Sequence, residues 1–414
     1  MYDVAIIGFG RVGAPLSLSL EKNGLSVVAI DISKDIINKV NNKIMPFNEP
    51  GYDELLLSSK IQVFDGNEIE KYPEAKCYII TVGTPLMQQI ETDLSQIKRV
   101  IKTLIDKVDI KNKLVVLRST VAPYTTEFVK NYISSTCNLK FGDEFYLAMC
   151  PERIAEGKAL IELEQLPQII GVSDEISFML AQDVFSVLKV DILKCTYIEA
   201  ELAKLFCNIY RYINFAIPNY FTYIADKFKV DIFKLLNVMN LKYPRNSGLK
   251  YPGFAAGACL RKDFGMINEY FPQTDLLLQA HKINEYMPKF YTDLVKDKIN
   301  GKRIGILGYT FKSNTDDTRD SLVPKMIRYI ERQVPSNILI HEPNLPQGQY
   351  CDKFNEYSFD NKSLDDVIQN SDIIFIAINH NEFSKLNASM LKEYGCKTIV
   401  DIWGILNLNE LVIN

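Results

Sequence analysis

Residues 4–13 read Val4-Ala5-Ile6-Ile7-Gly8-Phe9-Gly10-Arg11-Val12-Gly13. Four apolar residues give way to three glycines spaced G-x-G-x-x-G, and an amphipathic segment, Val12–Asn23, follows. The apolar run predicts a strand, and the segment after it a helix. Gly8 permits the tight turn between them, and Gly10 lets the backbone approach a pyrophosphate. Gly13 allows close helix–strand packing, and the helix N-terminus faces the phosphates. The next β-rich run, Ser26–Asp31, ends in a carboxylate able to accept hydrogen bonds from a ribose hydroxyl. Its charge repels a 2′-phosphate, so the expected dinucleotide is NAD rather than NADP. Alone the glycine spacing is a weak signal, and the alternative is a glycine-rich turn with no ligand.

Further along, Ala75–Val82, Lys113–Arg118 and Phe145–Met149 also read as strands, separated by helical patterns such as Ser33–Asn41. That βαβ rhythm predicts a parallel sheet covered on both faces. From about residue 197 the pattern turns helical, and Glu199 to Phe228 reads as one helix with Leu202, Leu205, Phe206, Ile209 and Ile213 at helical spacing. Pro218 should kink it. Strand–helix alternation resumes at Gly301, with Arg303–Leu307, Asn337–His341, Ile373–Ile378 and Thr398–Ile402 as strands. The expected α/β architecture is two Rossmann-like, doubly wound parallel-sheet domains, 1–196 and 301–414, joined by a helical domain, 197–300, with a long spine helix. Gly305-Ile306-Leu307-Gly308 lacks a full fingerprint, so the last domain is expected to bind something other than a dinucleotide, such as a nucleotide diphosphate.

The 414 residues and net charge of −4 argue against a general nucleic-acid surface. No apolar run approaches the ~18 residues that span a bilayer. The N-terminus lacks a basic leader, so a cytoplasmic chain is expected. Its eight cysteines form no Cys-x-x-Cys pair, which predicts neither a metal site nor a disulfide framework.

The segment Tyr251-Pro252-Gly253-Phe254-Ala255-Ala256-Gly257-Ala258-Cys259-Leu260-Arg261-Lys262-Asp263 offers the most chemistry. Small residues leave room for a carbon to approach the sulfur of Cys259, and Arg261 or Lys262 can lower its pKa. The alternative is an inert buried cysteine. Lys204 and Asn208 lie four apart on one helix face, with Arg211 near the same stripe. A lysine there either serves a site or snorkels to solvent. Glu152 and Glu156, in Pro151–Gly157, and Thr120, in Arg118–Pro123, each follow a strand. Ligands sit beyond strand carboxyl ends, so all three are candidates for the crevice; the alternative for the glutamates is a solvated helix start.

Together these motifs resemble the nucleotide-sugar 6-dehydrogenase family, which includes UDP-glucose, GDP-mannose and UDP-N-acetylhexosamine dehydrogenases. The resemblance rests on Gly8–Gly13, Pro46–Leu55, Arg118–Thr126, Pro151–Ala159, Ala200–Asn208, Pro252–Asp263 and Phe311–Ser321, in order. It implies two successive hydride transfers to NAD, with Cys259 capturing the aldehyde as a thiohemiacetal and then carrying a thioester. By the same resemblance Lys204 and Asp263 hold a water and help remove the C6 hydroxyl proton, and Asn208 joins Lys204 around the oxyanion. Thr120 positions the hydrolytic water, which Glu156 or Glu152 activates. Arg11, Val12, Thr84 and Arg319 are implied as cofactor contacts. Arg211, Arg245, Tyr251, Gly257, Phe311 and Lys312 are implied as substrate contacts, Arg245 reaching across a subunit interface. The long helix resembles the family's dimer-forming element, so at least a homodimer is implied.

The sequence departs from the family pattern in places. Ala255 and Ala256 replace glycines, Arg261 stands where proline is common, Tyr124 replaces a frequent glycine, and Cys150 precedes Pro151. The segments Pro151–Arg153, Asn208–Asn214 and Tyr243–Arg245 look more like the UDP-N-acetylhexosamine branch, and Leu260–Asp263 more like the UDP-glucose branch. The expected substrate is a UDP-N-acetylhexosamine, with UDP-glucose as alternative. An inactive nucleotide-sugar-binding protein, or an alcohol dehydrogenase that stops at the aldehyde, are readings of other kinds; the set Lys204, Asn208, Cys259 and Asp263 argues against the first, and Cys259 against the second.

Overall fold

A computed structural model describes residues 1–84, 86–87, 91–92, 94–270, 275–394, 398–406 and 412–413. The chain forms two compact units, Met1–Cys207 with Gly265–Phe271, and Asn208–Phe264 with Pro272–Asn414.

The first unit carries an eight-stranded sheet in the order Ile192–Cys195, Gln168–Gly171, Tyr146–Met149, Leu114–Leu117, Ala75–Ile80, Tyr2–Ile7, Val27–Asp31, Val63–Asp65. Alternate residues of the central strands enter two different apolar clusters. Val4, Ile6, Val27 and Ala29 pack on one face, and Ala5, Ile7, Val28 and Ile30 on the other. Two buried faces are why the strand sequences run apolar without alternation. The six strands from Tyr146–Met149 to Val63–Asp65 are parallel. Gln168–Gly171 and Ile192–Cys195, absent from the sequence reading, pair parallel to each other, and Gln168–Gly171 pairs antiparallel to Tyr146–Met149. Strand Tyr2–Ile7 lies between Val27–Asp31 and Ala75–Ile80, so the strand order reverses beside it and opens a crevice at its carboxyl end.

In the second unit the order is Gly348–Asp352, Tyr357–Asn361, Asn337–His341, Arg303–Leu307, Ile373–Ile376, Thr398–Asp401, Val412–Ile413. The same two-faced packing holds: Ile304, Ile306 and Phe375 enter one cluster, Leu307, Ile374 and Ile376 another. Among the described residues only the two edge strands pair antiparallel.

The spine helix spans Tyr197–Lys227 and continues through Pro218 without a break. Thr222 Oγ donates to the Pro218 carbonyl at 2.8 Å. The stripe expected to be core is not uniformly so: Leu205 is buried, but Phe206 is 57% exposed. The buried face instead mixes Leu205, Tyr212 and Ala216 with Glu201, Lys204, Asn208, Asn219 and Thr222. Buried polar groups need partners, and those with named bonds have them. Asn219 exchanges two hydrogen bonds with the Gly253 backbone, at 3.0 and 2.9 Å.

Candidate functional site

In the first unit, the carboxyl end of Tyr2–Ile7 turns at Gly8, whose φ of +100° belongs to the left-handed region. A Cβ on Gly13 would lie 1.9 Å from the Gly8 carbonyl oxygen, so helix and strand approach too closely for any side chain. Thr81 closes the turn, donating to the Gly8 carbonyl at 2.6 Å; sequence reasoning missed it. Gly10 differs, because a Cβ there would meet nothing within 4 Å. The protein does not itself demand glycine at that position, whereas a closely approaching phosphate would. Asp31 accepts the N–H of Phe9 at 2.6 Å and of Ser33 at 2.8 Å while remaining partly exposed. These residues fit an NAD molecule: an open backbone cradle, a helix N-terminus free of acidic residues in its first turn, and an accessible carboxylate. Val12 stands at the N-cap position of that helix, with no side-chain capping bond.

The other candidates of this unit fall into distinct arrangements. Arg11 lies over the Phe47 ring, 5.0 Å from its centroid, and 3.7 Å from Glu156. Glu152 is buried and ion-paired to Arg118, and its Oε1 accepts the N–H groups of Arg153 and Ile154 at 2.7 and 2.9 Å. It is therefore not part of a solvated helix start. Thr84 spends its hydroxyl on the Thr120 carbonyl, and Thr120 is half-buried at the strand end. Glu49 accepts Gly157 N–H at 2.8 Å and Ala159 N–H at 2.9 Å, pinning the loop that carries Glu156. That clamp gives the Pro46–Leu55 motif a physical job. Tyr124, in place of glycine, adopts φ +67°. Glu201 holds that turn, accepting the N–H groups of Tyr124 and Thr126 at 2.7 Å each. Burial pushes the Glu201 carboxyl up, against these bonds, which lower it. Lys204 lies on the buried face of the spine helix at 8% exposure, away from the solvent-reaching alternative.

In the second unit, Cys259 sits in the first turn of the helix Ala258–Tyr270 and is exposed. A helix N-terminus favours thiolate over thiol. Cys259 is exposed, whereas burial pushes the Cys150 thiol up to about 12 and that of Cys195 up to about 11. Asp263 follows Cys259 by one helical turn, is 0% exposed, and accepts Asn208 Nδ2 at 2.6 Å. The substitutions at Ala255 and Ala256 are accommodated, since both are buried and neither has positive φ. Gly257 is the position that needs glycine: its φ is +97°, and a Cβ would meet the Phe311 ring at 2.6 Å.

The outer candidates are less concentrated. Arg211 is exposed, and Tyr212 takes the buried position one turn after Asn208. Arg245 is exposed with its guanidinium over the Tyr243 ring. Tyr251 bonds Asn237. Arg319 folds onto Asp317 at 2.6 Å. Phe311 and Lys312 lie on the loop after Arg303–Leu307, where the Lys312 carbonyl accepts Thr310 Oγ at 3.0 Å. Arg261 does not face Cys259 as a spare cation; its charge is met by Glu285 and Asp320.

At the carboxyl end of Asn337–His341, Glu342 occupies the place that Asp31 takes in the first unit. Its Oε2 accepts the N–H groups of Tyr309 at 2.7 Å and Thr310 at 3.1 Å, and pairs with His380 Nε2 at 3.0 Å. Burial opposes the charged form, but the His380 hydrogen bond and charge and the backbone N–H groups hold the carboxyl down at about 2. Among the described residues no cluster of metal-ligating side chains is present, and no helix is long and apolar enough to cross a membrane.

Comparison with known proteins accounts for most of the chain. Residues 2–189 match the NAD binding domain of the UDP-glucose/GDP-mannose dehydrogenase family, 198–286 its central domain, and 305–408 its UDP binding domain. The UDP-N-acetyl-D-mannosamine dehydrogenase of Pyrococcus horikoshii is 31% identical, covering 96% of this chain and 94% of that protein. That of Methanococcus vannielii is 29% identical over 98% of this chain and 93% of that protein. The solved structure of UDP-D-ManNAc dehydrogenase from Pyrococcus horikoshii superposes with a TM-score of 0.86 at 30% identity, covering 97% of this chain and 96% of that one.

Proposed function

Because the chain belongs to the UDP-glucose/GDP-mannose dehydrogenase family and is an NAD-dependent nucleotide-sugar dehydrogenase, we propose that it oxidises the C6 alcohol of a UDP-N-acetylhexosamine to a carboxylate, with Cys259 as covalent nucleophile. The observation that carries the chemistry is Cys259 in a helix first turn, one turn before the buried Asp263–Asn208 pair. The curated relatives named above support the sugar.

NAD, when bound at the Gly8–Gly13 turn, accepts the hydride of each oxidation. Asp263, with Lys204, holds the water that takes the C6 hydroxyl proton. The Cys259 thiolate adds to the resulting aldehyde, and Asn208 and Lys204 stabilise the oxyanion. The thiohemiacetal loses a second hydride to become a thioester. Water set against Thr120 and activated by Glu156 cleaves it, releasing the acid and the thiol. Glu156 is preferred over Glu152 because both oxygens of Glu152 are already engaged by Arg118 and two backbone N–H groups.

The lobe 301–414 is the seat of the UDP moiety, and 197–300 serves assembly and the cysteine loop. Exposed Tyr210, Ile217, Tyr220 and Ile224 recur at helical spacing along the spine helix, and exposed Phe228 follows its last residue. An apolar stripe of that length supports a homodimer through this helix. Exposure of Arg245 supports its delivery to the partner's site.

An NADH assay against UDP-N-acetylmannosamine, UDP-N-acetylglucosamine, UDP-glucose and GDP-mannose tests the reading. About two NADH per sugar are expected with an N-acetylhexosamine. Faster turnover of UDP-glucose would overturn the sugar assignment. Cys259→Ser should lower steady-state turnover at least ~1000-fold. Near-normal acid production by that variant would remove Cys259 from the chemistry.

A further inference from the structure

Arg261 follows Cys259 by two residues, still within the opening turns of the helix Ala258–Tyr270. A cation there faces the positive end of the helix dipole, a placement that is unfavourable by itself. Its surroundings offset that cost. Arg261 Nε lies 2.8 Å from Glu285 Oε1, and the better-aligned Nη2 donates to Glu285 Oε2 at 3.3 Å. Its Nη1 donates to Asp320 Oδ1 at 2.9 Å. Glu285 belongs to the helix Asp275–Asp293 and is also held by Lys325 Nζ at 2.7 Å.

Asp320 provides a second link. Its carbonyl accepts the N–H of Gly257 at 3.2 Å, two residues before Cys259. Asp320 and Gly257 both lie in the left-handed region, at φ +53° and +97°. Such turns persist only when their surroundings hold them. One guanidinium thus joins the cysteine helix to a neighbouring helix and to the loop whose backbone fixes the residue before that helix. The planar fork reaches two carboxylates at once, which a lysine ammonium on a flexible stem does not reproduce.

We propose that Arg261 is a positioning residue for Cys259: it locks the Gly257–Cys259 turn between Glu285 and Asp320, so that the sulfur is presented at a fixed place and beside balanced charge. The proposal rests on the reading of Cys259 as nucleophile. It also gives a reason for arginine at a position where the family resemblance leads one to expect proline. Proline stiffens a turn through its ring; arginine does so here through side-chain bonds. Removing the guanidinium leaves Glu285 with its Lys325 ion pair and takes away the Arg261 pair of Asp320, beside His281 and on a helix that also carries Lys262 and Asp263. Net negative charge near the helix N-terminus disfavours the thiolate.

The test compares wild type, Arg261→Met and Arg261→Lys in the full-length enzyme. Two quantities are read: steady-state kinetics, and iodoacetamide alkylation against pH, quantified at the Cys259 peptide by mass spectrometry. For Arg261→Met, kcat should fall about tenfold or more with KM for NAD little changed. The alkylation midpoint should move to higher pH. Arg261→Lys keeps the charge and loses the fork, so it should restore the alkylation midpoint but only part of kcat. Wild-type kcat and alkylation in Arg261→Met would overturn the proposal. A kcat loss matched by an equal loss of folded enzyme, with an unmoved alkylation midpoint, would overturn it too. If Arg261→Met does not fold, Asp320→Asn decides in its place, with a smaller loss of kcat expected and unchanged kcat overturning the clamp. Cys259→Ser separates the two readings: if it retains activity the nucleophile assignment fails, while the alkylation arm still judges the clamp.

Discussion

The two parallel sheets end their second strands in the same way and use the result differently. Asp31 closes Val27–Asp31 and holds two backbone N–H groups, yet stays partly open to solvent. Glu342 follows Asn337–His341 and also holds two backbone N–H groups of the glycine turn. It is 1% exposed, however, and is hydrogen-bonded by His380 at 3.0 Å. An open carboxylate can receive a ribose; a buried, paired one cannot. The turns differ likewise. Two residues after the strand-end glycine the first has Gly10, where a Cβ would meet nothing within 4 Å, and the second has Thr310, buried with its hydroxyl 3.2 Å from Glu342. One fold therefore yields a dinucleotide crevice where its polar groups are left partly unspent, and another kind of crevice where they are consumed internally.

Three substitutions probe this contrast. The largest effect is expected at Gly13→Ala, where the methyl would overlap the Gly8 carbonyl. A loss above ~4 kcal/mol is expected, read as failure of the first lobe to fold in circular dichroism and proteolysis. A stable, NAD-binding Gly13→Ala protein would show that the turn is looser than described. Next comes Glu342→Gln. The folded-state carboxyl is depressed from 4.5 to about 2. Ionisation therefore contributes stability that is fully present above pH 4.5 and disappears as pH falls through about 2, worth roughly 3 kcal/mol. The variant should lose about that much in urea unfolding at pH 7 and show a flatter acid limb, with KM for NAD unchanged. A raised KM for NAD would break the distinction between the lobes. The smallest effect belongs to Asp31→Asn, which keeps an acceptor but removes charge. The ratio of NADP to NAD use should rise about tenfold, near 1.4 kcal/mol, with little change in melting temperature. An unaltered ratio would mean that Asp31 does not read the ribose.

Much of this was legible in the chain itself, because it depends on residues close together in sequence. The Gly8–Gly13 turn, its flanking strand and Asp31 declare themselves within one βαβ unit. The long helix follows from local periodicity, and its observed span, Tyr197–Lys227, differs from the expected one by a residue or two. The weaker strands escaped notice for the opposite reason. Val63–Asp65 has three residues and Ile192–Cys195 has exposed positions, so neither shows a strong apolar pattern.

The face of the spine helix was misread because periodicity locates a stripe without saying what meets it. Phe206 belongs to the stripe expected to be core and lies outside; Glu201 lies inside, as do the site candidates Lys204 and Asn208. A polar side chain becomes a buried one only when a distant partner satisfies it, as Asp263 does for Asn208. The same limit hid Thr81 beneath the glycine turn, Glu49 on the Gly157–Ala159 loop and Glu285 on Arg261.

Residue type and short spacing were enough to mark the glycine turn, the acid that ends the second strand and a cysteine among small residues as candidates. The tertiary structure alone decided which charges are spent and which remain available. That choice depends on long-range pairs such as Glu342 with His380 and Arg261 with Glu285 and Asp320, whose partners are brought together by the packing of the sheets and helices.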